Sequence, residues 1–126
     1  MSKSNEEQEV KKRDIQRRAF AFACRVVKLY QFLARRKSGE VLGRQVLRSG
    51  TSIGANLEEA TAAQSKPDFI SKCNITLKEA RETDYWLHIL METEVVPAGK
   101  LRPLASESNE LVAILTTIVK KSRLAQ

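Results

Sequence analysis

Apolar residues recur at spacings of three and four along four long stretches of this chain, and that period predicts helices. Ile15, Ala19, Phe22, Val26, Leu29, Tyr30 and Leu33 make the first stripe, which predicts a helix over about 11–37. Ser38-Gly39 is expected to close it, because glycine accepts the left-handed conformation of a helix end. A second helix is predicted over about 40–64, with Leu42, Val46, Ser49, Ile53, Leu57 and Ala60 on one face. Ser65-Lys66-Pro67-Asp68 then reads as a start signal, with a Ser cap, a first-turn Pro and an acid three residues after the cap. The third helix is expected to reach about residue 95, with Phe69, Cys73, Leu77, Ala80, Leu87 and Met91 inward. Pro97-Ala98-Gly99 breaks the chain, and a fourth helix over about 101–124 carries Leu104, Leu111, Leu115, Ile118 and Val119. Pro103 is tolerable there if it lies in the first turn.

Four helices of similar length with short connectors pack up-down-up-down, so the expected fold is an all-α antiparallel four-helix bundle. Residues 1–10 read as a flexible N-terminal tail and 11–126 as one bundle domain. Its 126 residues suit a single core, and 42% apolar content is that of a globular chain. The N-terminus is polar and no apolar run approaches membrane-spanning length, which points to a cytoplasmic protein with no membrane partner. Cys24 and Cys73 stand apart in apolar stretches and read as small buried hydrophobes, not as a disulfide or metal pair.

Charge changes the picture more. The net charge is +7, and residues 1–63 hold 13 basic and 7 acidic side chains against 9 and 8 in the remainder. No acid occurs between Asp14 and Glu40, whereas Arg17, Arg18, Arg25, Lys28, Arg35, Arg36 and Lys37 all do. Such a segment attracts polyanions through phosphate contacts that release counterions; the plainer reading is a solvated face. Arg13, Arg17, Lys28 and Arg35 share one helical stripe and are the first candidates for phosphate contact. Arg18, Arg25 and Arg36 border the apolar face and come second.

The second helix carries two further stripes. Gly43, Gly50 and Gly54 fall on one line, although each costs about 1 kcal/mol against Ala inside a helix, which predicts close approach of another helix. Beside them run Gln45, Arg48, Ser52, Asn56 and Glu59, read either as a ligand pocket or as a hydrogen-bonded network fixing register or a subunit seam. On the third helix, Ile75, Trp86 and Ile89 form a second apolar strip flanked by Glu79 and Glu82, which predicts cover by another protomer. Phe20, Val27 and Phe32 give the first helix a similar spare surface. Asp84 projects near the inward face, with Arg48 or Arg25 as the expected partner. His88 is the only histidine, and no Glu-x-x-His pairing accompanies it, so metal and triad chemistry lack their ligands and no cofactor is expected.

The run from Gln45 to Ala60, with its Arg48-Ser49, Ser52-Ile53, Asn56 and Glu59, resembles the signature of the four-helix-bundle family named for 23S ribosomal RNA intervening-sequence proteins. Ser65, Asp68, Phe69 and Ile70, followed by Ile75, Leu77 to Ala80, Glu82, Thr83 and Tyr85 to Leu87, are similar to the same family. Lys78 and Glu79 stand where many members have small residues. The resemblance implies an antiparallel bundle assembled as a ring-like homopentamer, with no catalytic activity. It also implies RNA binding, or service as an accessory to a nucleic-acid enzyme such as the reverse transcriptase of a diversity-generating retroelement. A signature of hydrogen-bonding residues without a nucleophile suits a packing network or subunit seam, which here would take in Gln45, Arg48, Ser52, Asn56, Glu59, Glu79, Glu82 and Trp86. The leading expectation is a non-catalytic oligomer that binds a nucleic-acid backbone, or a nucleic-acid enzyme, through its basic surface. The alternative is an assembly protein whose basic residues pair with Glu79 and Glu82 across a subunit seam. An enzyme or small-molecule binder would instead need an enclosed pocket around Arg48, Asn56 and Glu59.

Overall fold

Three short breaks divide the chain into α1 (Lys3–Leu33), α2 (Lys37–Thr61), α3 (Lys66–Glu92) and α4 (Ala98–Leu124). The computed structural model describes residues 3–124, with side chains at 6, 7 and 13–124. Each helix packs on its neighbours in chain order and α4 returns to α1, while the diagonal pairs stay apart. Antiparallel order is read from the pairings. Ala19 meets Gly54 and Val26 meets Gly50 between α1 and α2. Glu59 reaches Lys72 and Arg48 reaches Glu82 between α2 and α3. Ser108 reaches Asp84 and Arg123 reaches Asn74 between α3 and α4.

The core is built from the expected stripes with two changes of phase. Phe22, Val26, Leu33, Val46, Ile53, Leu87, Leu111 and Leu115 are fully buried, each worth about 1.5–3 kcal/mol of transfer free energy. On α3, Ile70 and Leu90 are buried, while Phe69 and Met91 are only half-buried. On α4, Leu101 joins the core and Ile118 packs at its margin.

Several boundaries differ from expectation. α1 begins at Lys3, so residues 3–10, read as tail, are helical; residues 1 and 2 lie outside the described residues. α1 ends at Leu33, before Ser38-Gly39, and no glycine among the described residues has a positive φ. Gly39 lies in the first turn of α2, and a Cβ there would stand 2.8 Å from the Leu33 carbonyl oxygen. That glycine therefore serves close packing rather than a left-handed turn. α4 starts at Ala98, which moves Pro103 to the second turn. Having no N–H, Pro103 cannot bond the Gly99 carbonyl, and both residues are exposed, where water can serve that oxygen. The cap of α3 forms as expected: Asp68 N–H donates to Ser65 Oγ at 3.2 Å.

The glycine line of α2 is the seat of α1. A Cβ on Gly43 would meet Leu33 and Tyr30 at 3.2 Å, and one on Gly50 would meet a Val26 methyl at 2.9 Å. Gly54 is different, because its nearest neighbour is the Ala19 backbone at 3.7 Å, an ordinary contact. Gly54→Ala is therefore expected to stabilise the protein by about 0.5–1 kcal/mol through helix propensity, measured by chemical denaturation.

Candidate nucleic-acid interface

The phase of α1 decides which of its cations face water. Ile15, Ala19, Phe22, Val26 and Leu33 are buried, so the line opposite them carries Arg13, Arg17, Phe20, Cys24, Val27, Lys28 and Gln31, and Arg35 follows in the turn just beyond α1. All eight are exposed; Cys24 is thus a surface thiol, contrary to expectation, while Cys73 is buried. Arg13, Arg17, Lys28 and Arg35 form no ion pair among the described residues, and no acid stands on α1 between Asp14 and its end. At 1.5 Å per residue the helical part of this line, from Arg13 to Gln31, is about 27 Å long.

The three second-choice cations behave differently from one another. Arg18 donates from Nε and Nη2 to the two carboxylate oxygens of Glu107 at 3.0 and 2.6 Å, and its Nη2 lies 3.3 Å from Glu110. It bridges α1 to α4, the least closely packed neighbours. Arg36 donates to the Phe32 carbonyl at 3.0 Å, with its guanidinium 3.7 Å from the centre of the Phe32 ring. Arg25 is exposed and lends its charge to Glu107 without an ion pair.

The bidentate hydrogen bond from Arg18 holds the Glu107 carboxyl below its usual range and raises Arg18 above its own. A depressed carboxylate stabilises the fold above the unfolded value, about pH 4, and that contribution is lost as pH falls through the folded value. Glu107 is 19% exposed, so Glu107→Gln is expected to cost about 1–2 kcal/mol at pH 7. The difference from the parent should vanish in the acid limb, as followed by thermal melts between about pH 2 and 7.

The polar stripe of α2 turns toward α3. Arg48 pairs with both Glu79 and Glu82, and Trp86 Nε1–H donates to the same Glu82 oxygen at 3.1 Å. The expected pairing of Arg48 or Arg25 with Asp84 does not form. Asp84 accepts from Ser108 Oγ at 3.2 Å, with His88 3.8 Å away, because α4 is the helix that covers it. Beneath the ion pairs, Thr83 Oγ1 lies 2.8 Å from both Ser49 Oγ and the Glu79 carbonyl, and its single proton serves one at a time. Ser49 donates to the carbonyl of half-buried Gln45, Ser52 to that of Arg48, and Asn56 to that of Ser52. Glu59 takes Lys72 Nζ at 2.9 Å, which raises the lysine pKa. Arg48 is 52% exposed and Glu59 also faces solvent, so this stripe is a surface clasp between α2 and α3. Glu79 and Glu82 are engaged within their own chain.

A family model described as 23S rRNA-intervening sequence protein matches residues 11–117. The chain belongs to this family. Among solved structures, it is similar to a protein of unknown function from the S23 ribosomal protein family of Bacteroides thetaiotaomicron, at 45% identity and a TM-score of 0.80. That match covers 84% of this chain and 98% of the other. No curated protein matches. Within this intervening-sequence protein, no helix among the described residues is long and apolar enough to cross a membrane.

Proposed function

We propose that this intervening-sequence protein is a non-catalytic binding protein that holds a nucleic-acid backbone, alone or with its enzyme, on the outer face of α1. The observation that carries the reading is the row Arg13, Arg17, Lys28 and Arg35, exposed and in no ion pair among the described residues, along a stretch that holds no acid after Asp14. Unneutralised cations on one line repel each other, and a row of phosphates relieves that repulsion while releasing counterions. The family's name, with its reference to ribosomal RNA, points the same way. Binding rests on charge and not on base edges, so it is weakly sequence-specific and strongly salt-dependent. Anisotropy of labelled RNA and DNA across a salt series tests it, and affinity indifferent to salt overturns it.

A specific observation supports assembly as well. Tyr85 is 59% exposed beside Ile75, Trp86 and Ile89 on the outer face of α3, an apolar surface that a second copy would cover. The protein is read as a cytoplasmic homo-oligomer, with the ring of five implied by the family resemblance. Light scattering that gave a monomer would remove that part. An assembly protein without nucleic acid is the outcome left if no labelled strand binds.

A further inference from the structure

Resting on the nucleic-acid reading, we propose that the outer face of α1 takes single-stranded nucleic acid, with Phe20 as the platform on which an unpaired base stacks. Phe20 is 71% exposed, and its ring has no aromatic or cationic partner among the described residues. By contrast Phe32, on the same helix, is half-buried and lies beneath Arg36. Phe20 stands one turn from Arg17 and two from Arg13, with the exposed Cys24 and Val27 one and two turns on and Lys28 beside them.

Cations that track a backbone beside a free aromatic ring are what single-strand binding requires, since every base offers a π-face and none needs reading at its edge. A paired duplex hides its base faces, so the ring has nothing to stack on there, whereas phosphate contacts remain. Charge also decides against a second copy on this face. Two such faces apposed would bring Arg13, Arg17, Lys28 and Arg35 against the same cations. Glu79 and Glu82 of α3, which flank its apolar strip, are already held by Arg48.

The test uses the full chain with labelled single-stranded, duplex and abasic single-stranded oligonucleotides of one length. The variants are Phe20→Ala and Phe20→Trp, and circular dichroism and light scattering monitor fold and assembly. Phe20→Ala is expected to lower single-strand affinity about tenfold with the salt slope unchanged, and to leave duplex affinity alone. Phe20→Trp restores the single-strand affinity. The abasic strand binds the parent as weakly as the intact strand binds Phe20→Ala. Salt-dependent binding that ignores both substitutions, or that prefers duplex, overturns the stacking platform and leaves the basic face standing. Binding of no strand by the parent overturns both. A change of assembly state in Phe20→Ala assigns the ring to a protein seam and overturns the platform.

Discussion

Gly50→Val is expected to destabilise the bundle by about 3 kcal/mol, a large part of the 5–15 kcal/mol that domains of this kind possess. Even a single Cβ at Gly50 would stand 2.9 Å from one Val26 methyl and 3.0 Å from the other. Rotating Val26 does not relieve this, because a β-branched side chain in a helix has one strongly preferred rotamer and presents a methyl in the alternatives too. Either α1 moves outward or the valine leaves its well. Gly50 also sits at the middle of the α1–α2 seam, with Gly43 against Leu33 on one side and Gly54 against Ala19 on the other. A shift there loosens contacts at both. Val26→Ala makes room, so the milder Gly50→Ala should cost less in that background than in the parent, with a coupling of about 1–2 kcal/mol. Urea denaturation of the four proteins in that cycle measures it. Simple additivity would show that the seam is not held by this contact.

Features whose physics is local were legible from residue order. The Ser65 cap needs only a hydroxyl and an N–H three residues on, and it forms. The glycine line of α2 announced a close helix, and α1 lies there. Gly39 misled because the same residue serves a left-handed turn or a tight approach, and only the position of Leu33 decides between them. The inward line of α3 was shifted because Phe69, Ile70, Leu90 and Met91 are all apolar and lie within a turn of the true core line. Pairings between helices were the least legible. Arg48 could have met Asp84 or Glu79 and Glu82, and the choice depends on how far α3 is rotated. Arg18 finds Glu107 89 residues away, with no local sign beyond its position at the edge of the apolar stripe. The outward line of α1 was legible for the opposite reason, since five core residues at regular spacing leave only one face for Arg13, Arg17 and Lys28, with Arg35 in the turn that follows.

Reversing those four charges together is expected to abolish nucleic-acid binding while leaving the fold intact. All four side chains are exposed, and surface substitutions of this kind change stability by about 0.5 kcal/mol or less each. Four phosphate contacts on a single strand correspond to a slope of about −3 in log affinity against log salt, or about fiftyfold between roughly 50 and 200 mM. Their loss at about 100 mM salt is worth about a thousandfold in affinity. Arg18 and Arg36 are a built-in control. Arg18→Gln should weaken the α1–α4 seam more than it weakens binding, because its charge is already taken by Glu107 and Glu110.

The decisive measurement is the salt dependence of single-strand affinity for the parent and for the variant carrying Glu at positions 13, 17, 28 and 35. A slope near −3 per engaged protomer in the parent, with no measurable binding by the variant, is the expected result. Equal affinity of the two proteins, or a parent slope near zero, would contradict a phosphate-binding face on α1.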